Sequence, residues 1–264
     1  MSLVDILRRL EQIAEANYIA KPMFVGGIPR DVYLGLEKDK YNDLDITTNT
    51  YDITRLGITF AEEMGASFLL FEDGHLSVNL DEYTYDFSSN FISDSVVDYL
   101  NEELKITDSK FYEIYSRDFT INTLHKLFFS DEIIDPTGKG IDDCNNKIIK
   151  TICPPSITLK DNAKRAYRAI EFSARFGFEI DSEIISYIKN NLEFFSLEKN
   201  PILKEGYVSS LMDKALEKDP ERTIFNLLET NLFYNVPLTG LFKQELIKRR
   251  LVLKYLDNIK NTNI

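Results

Sequence analysis

The hydrophobic pattern of this chain changes part-way along its length, and this change constrains the fold more than any other feature. Before about residue 150, short apolar or alternating segments typical of strands recur between turns, at residues 23–25, 43–48, 67–71, 75–80 and 83–88. From Asp161 onward apolar residues recur at helical spacing, and the helices are separated by Pro201, Pro220 and Pro237. The pattern predicts a mixed α/β (α+β) domain with neighbouring antiparallel strands over residues 1–150 and an all-helical domain over 151–264.

Two local signals refine these limits. Ser2 is a suitable N-cap for a helix that runs to about Tyr18, because apolar residues follow it at helical spacing. Pro154 and Pro155 interrupt the chain between the two patterns. We therefore expect the domain boundary within residues 151–159.

The composition restricts the kind of metal site that the protein can build. The 264 residues include two cysteines, Cys144 and Cys153, and two histidines, His75 and His125. These are too few for a disulfide framework, a thiolate cage or a histidine-rich zinc site. Both histidines are isolated in the sequence, and a packed or surface position explains each better than catalysis does. Any metal must be held by oxygen ligands, and Mg²⁺ is the expected ion.

The net charge and the hydropathy restrict which kinds of partner the protein can bind. The net charge is −12, and the acidic excess lies in residues 1–150 whereas residues 151–264 are nearly neutral. Because nucleic-acid affinity grows with the number of phosphates neutralised, this charge argues against a broad phosphate-binding surface. No segment approaches the roughly 18 apolar residues of a membrane span, and the N-terminus lacks the pattern of a signal peptide. A cytoplasmic protein without a membrane partner is expected.

A pair of glycines follows the first predicted strand. Gly26 and Gly27 precede a short segment, residues 28–35, that starts with a proline near its first position and ends in glycine, as a short helix does. Paired glycines let backbone N–H groups approach phosphates closely, and a helix N-terminus favours the same negative charge. The alternative is a tight turn with no ligand.

Two aspartates lie on the next predicted strand. Asp43 and Asp45 are two residues apart, so their carboxylates point to the same side of a strand. Such a pair can hold one or two Mg²⁺ ions, bind a triphosphate and activate a hydroxyl for in-line displacement. Solvent-facing aspartates are the alternative. The occurrence of the glycine turn and the carboxylate pair within about twenty residues favours function.

These elements belong to a longer ordered series of motifs. The glycine turn continues to Arg30 and Asp31, and further motifs are Ser116-Arg117-Asp118-Phe119-Thr120-Ile121-Asn122, Asp135-Pro136-Thr137-Gly138, Asp143-x-x-x-Lys147-x-Ile149-Lys150 and residues 168–178. With this series, over roughly residues 22–180, the sequence resembles the class II CCA-adding enzymes (tRNA nucleotidyltransferases) and bacterial poly(A) polymerases of the polymerase-β-like superfamily. The resemblance implies a nucleotidyltransferase head with a small mixed or antiparallel sheet, followed by an all-helical neck that binds RNA. Residues 135–138 would be a hinge or simply a turn.

The resemblance also assigns roles to residues of the head. Asp43 and Asp45 would bind the metals and act in catalysis, and Asp86 is the best match to a third carboxylate on a later strand. The nucleotide would be bound by Gly26, Gly27, Arg30, Asp31, Arg117, Asp118 and Asn122. Asp118 and Asn122 are four residues apart on an apparent helix and would share a face. Ser116 replaces an arginine of the family.

The base-reading helix departs further from the family. The matching positions are Asp161, Asn162, Arg165 and Arg168, where Asn162 replaces an aspartate that accepts a hydrogen bond from the base. An asparagine presents an NH₂ group beside its acceptor oxygen, so the substitution can change which nucleotide is chosen. Glu171 also replaces an arginine common in the family. The alternative is a solvated helix face on which Asp161 and Arg165 pair.

The activity implied by the resemblance is template-independent transfer of a nucleoside monophosphate from CTP or ATP to an RNA 3′-hydroxyl, with Mg²⁺ and release of pyrophosphate. The favoured acceptor is the tRNA 3′ end, as in CCA addition. Three alternatives stay open: a poly(A) polymerase-like activity, transfer to a protein or small molecule, and a nucleotide-binding regulatory protein that has lost turnover.

Family members continue into body and tail helices that grip tRNA, and we expect these to be truncated here. The tRNA would then be held differently, a homodimer or a partner protein would supply the grip, or the acceptor would be another RNA. A basic group at positions 243, 248, 249, 250 and 254 could contact RNA, although such groups are usually solvated faces.

Overall fold

A computed structural model describes residues 1–36, 41–72, 74–87, 92–237 and 240–248. The chain divides into two compact units. The first comprises Met1–Asn146 and Lys150–Asp161, and the second comprises Lys147–Ile149 and the residues from Asn162 onward. The predicted α/β and helical parts of the chain therefore correspond broadly to two units. The assignment of these parts as catalytic head and RNA-binding neck domains stays a prediction.

A mixed sheet forms the centre of the first unit. Within the described part of the chain it has seven strands, in the order β3-β4-β5-β2-β1-β6-β7. The strands are β1 (Met23–Val25), β2 (Asp43–Thr47), β3 (Ser67–Leu70), β4 (Leu76–Leu80), β5 (Tyr83–Phe87), β6 (His125–Leu127) and β7 (Ile133–Ile134). Neighbouring strands are antiparallel except β2 and β5, which pair in parallel. The predicted mixed α/β fold is confirmed.

Helices accompany this sheet along the chain. They are α1 (Leu3–Ala16), α2 (Gly27–Tyr33), α3 (Ile53–Met64), α4 (Asp94–Glu102), α5 (Lys110–Ser116), α6 (Gly140–Asn145) and α7 (Pro155–Asp161). The predicted N-terminal helix is present, and the hydroxyl of Ser2 accepts the backbone N–H of Asp5 at 3.2 Å. Its apolar stripe is buried in one core with residues of α3 and the sheet, among them Phe60, Tyr85 and Phe87. Burial of this stripe, more than intrinsic propensity, stabilises α1.

The second unit is mostly helical. Its helices are α8 (Lys164–Phe176), α9 (Ser182–Asn190), α10 (Glu205–Lys218), α11 (Pro220–Glu229) and α12 (Gly240–Lys248). A two-stranded parallel pair joins β8 (Ile148–Ile149) to β9 (Glu179–Ile180), so the prediction that strands end before Asp161 is wrong at this point. Gly177 ends α8 in the left-handed conformation, and the chain then pairs with residues 147–149. Strands of two residues are too short to show a periodicity.

Two further findings concern the composition. Cys144 and Cys153 are both buried, and neither forms a disulfide among the described residues. Across the ranges that the structure describes, no helix combines the length and the apolar character needed to cross a membrane.

Candidate active site

The two aspartates of β2 lie at the centre of the sheet. They alternate with buried Leu44 and Ile46, so both carboxylates are on the face opposite the core side chains; Asp43 is exposed and Asp45 is half-buried. The parallel register of β2 and β5 pairs Asp45 with Asp86. The sheet therefore places the three predicted carboxylates on adjacent strands.

Asp86 has partners of its own. Nε2 of His75 lies 3.5 Å from Oδ1 of Asp86, and Ser77 is its register partner on β4. Burial raises the pKa of the Asp86 carboxyl, but hydrogen bonds from His75 and Ser77 together outweigh burial and hold it below its ordinary value. Asp86 is thus kept ionised. His75 is not isolated, because the strand pairing brings it to a predicted site residue.

The glycine turn approaches Asp45 from the neighbouring strand. Gly26 is buried with a φ of +74°, which favours glycine, and α2 begins at the next residue. A Cβ atom added at Gly26 would lie 3.2 Å from Oδ2 of Asp45 and 3.4 Å from Nη1 of Arg117. The turn, a carboxylate and a guanidinium therefore converge at one point.

Arg30 and Asp31 are buried beneath this turn, at 3% and 2% exposure. Nε and Nη2 of Arg30 donate to Oδ1 of Asp31 at 2.9 and 2.6 Å, and Nη1 donates to Oδ1 of Asn122 at 2.5 Å. Nδ2 of Asn122 in turn donates to Oδ1 of Asp118 at 2.8 Å. These four predicted site residues form one internal network, in which the polar groups satisfy one another.

The backbone between Asp118 and Asn122 differs from the prediction. Arg117 and Phe119 are extended, and only Thr120–Asn122 forms a short 3-10 turn, so the apparent helix is wrong. The two side chains nevertheless meet, because Asn122 bonds Asp118 directly. Ser116, at the position where the family has an arginine, lies inside the protein. It is 2% exposed, and its hydroxyl donates to the carbonyl of Tyr112 at 2.7 Å within α5.

A residue that sequence reasoning missed is Glu113. It is buried on α5. Its Oε1 accepts a hydrogen bond from Nη2 of Arg117 at 3.0 Å, and its Oε2 accepts one from the Thr47 hydroxyl at 2.5 Å. Burial raises the pKa of Glu113 above its usual range, and the adjacent Arg117 guanidinium opposes that rise. The only signal in the sequence was the four-residue spacing of Glu113 and Arg117, which is common on solvated helices.

A known protein family matches the part of the chain that contains these residues. The sequence model of the family described as "Poly A polymerase head domain" matches residues 23–150. This range contains the glycine turn, the three aspartates and the segment from Arg117 to Asn122. Residues 23–150 belong to the poly A polymerase head domain family.

Curated relatives are similar to most of this chain, not only to residues 23–150, and they are longer than the chain. The chain is 31% identical to the CCA-adding enzyme of Bacillus pumilus over 243 residues, which cover 90% of the chain and 55% of that protein. It is 30% identical to the CCA-adding enzyme of Limosilactobacillus reuteri over 230 residues, covering 86% of the chain and 53% of the relative. The chain thus spans about half the length of these curated relatives.

Solved structures share the fold. The CCA-adding enzyme of Bacillus stearothermophilus in complex with CTP matches with a TM-score of 0.64 and 21% identity, over 94% of this chain and 57% of that one. The Thermotoga maritima CCA-adding enzyme complexed with tRNA matches with a TM-score of 0.63 and 21% identity, over 87% and 51% of the two chains. The predicted nucleotidyltransferase head fold is confirmed.

His125, also in the head domain, is a packed residue, as expected. It is 1% exposed on β6, and its Nε2 atom is buried with no hydrogen-bond partner among the described residues. Burial, together with the nearby positive charge of Arg117, lowers the pKa of His125 to about 3. The imidazole is therefore neutral at physiological pH. Nε of Arg117 is likewise buried without a hydrogen-bond partner among the residues with assigned positions.

The motif at residues 135–138 of the head domain is a tightly bonded turn. Oδ1 of Asp135 accepts the backbone N–H groups of Thr137 and Gly138 and the Thr137 hydroxyl, and Oδ2 accepts the N–H of Ile141 at 2.9 Å. These bonds explain the motif as a turn. Its use as a hinge stays a prediction.

The predicted base-reading residues are divided between the two units. Asp161 ends α7 in the first unit, where the Ser95 hydroxyl donates to its Oδ1 at 2.7 Å. Its Oδ2 is buried, and no hydrogen-bond partner for it lies in the part of the chain that the structure describes. Asn162, Arg165 and Arg168 begin the second unit. Oδ1 of Asn162 accepts the backbone N–H of Lys164 at 3.0 Å, which helps to start α8. This bond engages one of the two lone pairs of the Asn162 oxygen.

The structure describes some of the other residues of the second unit that the sequence analysis named. The Arg168 guanidinium lies 4.9 Å from the centre of the Phe172 ring, and Glu171 is buried. Of the predicted basic group near the C-terminus, Lys243 is exposed on α12, the side chain of Lys248 is not described, and positions 249, 250 and 254 lie outside the described residues.

Proposed function

We propose that this chain is a template-independent RNA nucleotidyltransferase. It transfers a nucleoside monophosphate from CTP or ATP to the 3′-hydroxyl of an RNA and releases pyrophosphate. The observation that supports this most is the convergence of Asp45 and Arg117 at the Gly26 turn, within a poly A polymerase head domain. Carboxylates for a metal, a cation for phosphates and a close backbone approach are the parts that phosphoryl transfer requires.

The donor atoms of the site suit Mg²⁺. No three His, Cys, Asp or Glu side chains are grouped tightly enough to hold a metal by themselves in the part of the chain that the structure covers. Mg²⁺ does not need such a cage, because it is usually held by one or two carboxylates, waters and substrate phosphates. Asp43 and Asp45 would hold it, with Asp86 as the third carboxylate. Bound there, it would lower the pKa of the attacking hydroxyl and neutralise charge on the leaving pyrophosphate.

The protein's own residues would hold the triphosphate in place. Arg117 offers a positive charge next to Asp45, and the N–H groups after the glycine turn lie at the start of α2, where negative charge is favoured. The buried network would support the turn more than it contacts the triphosphate, because its polar groups bond one another. Its members are Arg30, Asp31, Asp118 and Asn122. Their contribution is to fix the geometry of the nucleotide site.

Choice of nucleotide is assigned to the residues that match the family's base-reading motif. Asp161, Asn162, Arg165 and Arg168 would recognise the base of CTP or ATP. An NH₂ group from Asn162 would favour an acceptor on the base edge over an exocyclic amino group. The substitution is therefore expected to shift the balance between nucleotides.

The tRNA 3′ end is the proposed acceptor. Relatives over most of the chain are named CCA-adding enzymes, and one solved relative is complexed with tRNA. The chain spans about half the length of these relatives. A second copy of the chain or a partner protein is also proposed to contact the tRNA. A poly(A) polymerase-like reaction would use the same site and differ only in the acceptor and the number of additions.

The test is nucleotide incorporation. The purified protein is incubated with Mg²⁺, each labelled ribonucleoside triphosphate in turn and total tRNA lacking its 3′ end. We expect labelled tRNA with CTP or ATP, and a loss of about 100-fold or more in Asp43→Asn and Asp45→Asn. Asp98→Asn, which removes an exposed carboxylate of α4, is the matched control and should retain activity.

Other results distinguish the alternatives. Incorporation that survives the double substitution of Asp43 and Asp45 by alanine would overturn the proposed mechanism. Label found only on protein, or on a small molecule, would identify a different acceptor. Tight binding of triphosphate without transfer to any of these would indicate a regulatory nucleotide-binding protein.

A further inference from the structure

Glu113 connects two parts of the candidate site that are far apart in the sequence. One of its carboxylate oxygens accepts the hydroxyl of Thr47, and the other accepts Nη2 of Arg117. Thr47 is the last residue of β2 and lies two residues beyond Asp45 on the same side of the strand. The carboxylate therefore joins the metal-binding strand directly to the cation of the site.

The orientation of Arg117 depends on this contact. The chain leaves α5 at Arg117 in an extended conformation, so the helix no longer fixes its side chain. Its Nη1 nevertheless lies 3.4 Å from the position of a Cβ at Gly26, close to Asp45. Glu113 holds the opposite nitrogen, Nη2, at 3.0 Å. Because a guanidinium is rigid and planar, fixing Nη2 restricts where Nη1 and Nε point.

The burial of the pair makes it stronger than a surface contact. The side chains of Glu113 and Arg117 are 5% and 11% exposed, so little solvent screens them. Arg117 lies between two carboxylates, those of Glu113 and Asp45, and without Glu113 the attraction of Asp45 would act on it alone. The guanidinium would then be expected to turn toward Asp45 and compete with a cation there.

We infer that Glu113 is a positioning residue for the incoming nucleotide: it holds the Arg117 guanidinium over the Gly26 turn, where Arg117 receives the phosphates. This inference rests on the proposed nucleotide-binding function of the same site. Glu113 itself touches no substrate. Its effect on binding and transfer passes through Arg117.

The first experiment measures the dissociation constants of CTP and ATP by titration calorimetry, with kcat and KM from the tRNA assay. Glu113→Gln keeps the size of the side chain and can still accept the Thr47 hydroxyl, but it loses the charge that holds Arg117. We expect the triphosphate Kd and KM to rise by about tenfold, as for loss of a charge-assisted hydrogen bond. Glu113→Asp keeps the charge and should restore part of the affinity.

A double-substitution cycle separates this role from a purely structural one. If Glu113 acts through Arg117, then Glu113→Gln combined with Arg117→Ala should bind triphosphate as Arg117→Ala alone does. Effects of the two changes that multiply would overturn the inference. Asn226→Ala, which removes a buried hydrogen bond to Ser173 in the second unit, is the control for lost stability and should leave the Kd unchanged.

The outcomes distinguish this inference from the proposed function. Triphosphate binding without transfer in the unaltered protein would overturn the proposed function, and the Kd series would still decide the role of Glu113. Transfer by the unaltered protein with an unchanged Kd in Glu113→Gln would overturn the inference alone. If the unaltered protein binds no triphosphate, both are wrong. Should Glu113→Gln fail to fold, Glu113→Asp is measured instead, and a Kd equal to that of the unaltered protein overturns the inference.

Discussion

Arg30 and Asn122 are joined by a buried hydrogen bond of 2.5 Å between Nη1 and Oδ1, across 92 positions of the sequence. Arg30 belongs to α2, directly after the glycine turn, whereas Asn122 ends the 3-10 turn that follows Arg117. The bond therefore fixes the two segments that bring the backbone and the cation to Asp45. The charge of Arg30 is balanced separately, by its ion pair with the buried Asp31 carboxylate.

Removing Arg30 should destabilise the first unit strongly. Arg30→Met removes the guanidinium that donates two hydrogen bonds to the buried Asp31 carboxylate, and breaking a buried ion pair typically costs about 3–5 kcal/mol. Urea denaturation followed by circular dichroism measures the change. Arg9→Ala, which breaks the exposed pair with Glu63, is the control and should cost less than about 1 kcal/mol. Equal effects of the two substitutions would contradict the importance of the buried network.

Gly26→Ala should reduce nucleotide transfer, and Gly35→Ala should not. Both glycines have positive φ, so an alanine at either position is strained. The strain is greater at Gly26, whose ψ of −117° lies outside the left-handed helical region that other residues occasionally adopt. Only the Cβ at position 26 would also approach Asp45 and Arg117, whereas no atom of the described residues lies within 4 Å of a Cβ at position 35. The kcat/KM for triphosphate, compared between the two variants, checks this. A similar loss in both would show that strain alone is responsible.

Gly140→Ala should lower the thermal stability of the protein. Its Cβ would lie 2.7 Å from the carbonyl oxygen of Thr120 and 2.8 Å from Leu124, and such overpacking costs about 1–3 kcal/mol. Gly206→Ala is the matched control, because that position in α10 has open space and a helix prefers alanine by up to about 1 kcal/mol. Thermal melting should therefore shift down for the first variant and slightly up for the second. Shifts of the same sign would be inconsistent with these contacts.

The stability of the protein should fall in mild acid because of His125. Its pKa is about 3 in the folded protein and near its ordinary value of 6.5 when unfolded. Between these values the unfolded chain binds the extra proton, so the stabilisation is complete above pH 6.5 and is lost as the pH falls. The contribution approaches about 1.4 kcal/mol per pH unit. In His125→Gln, the free energy of unfolding between pH 6.5 and 4.5 should depend less steeply on pH; an unchanged slope would refute this assignment.

Asn162→Asp should change the choice of nucleotide. One aspartate oxygen can still accept the Lys164 N–H that starts α8, and the second is a free acceptor for an exocyclic amino group. The ratio of kcat/KM for CTP or ATP to that for UTP should rise by about tenfold, in the range of a specific base contact. Asn191→Asp, in the second unit and outside the family motif, is the control. An unchanged ratio would remove Asn162 from the base-reading residues.

Much of the local structure follows from the sequence because it depends on neighbouring residues. The Ser2 cap and the apolar spacing of α1 predict that helix, and the two-residue period of a strand predicts that Asp43 and Asp45 share a face. The change from strand-like to helical periodicity predicts the mixed α/β unit and the mainly helical unit after it. Each signal is carried within one element.

Contacts between elements that are far apart in the sequence could be identified only from the tertiary structure. No local pattern indicates that β2 and β5 pair in parallel, yet this register sets Asp86 beside Asp45. The separate pairing of β4 with β5 places His75, which precedes β4, 3.5 Å from Asp86. The role of Glu113 depends equally on the contact between α5 and the end of β2. Periodicity reports which side of an element is buried, and it contains no information about which partner covers that side. The sequence alone thus determined the residue types and the local geometry on which the proposed metal and phosphate chemistry rests, while long-range packing decided which of these residues meet and which are buried as support.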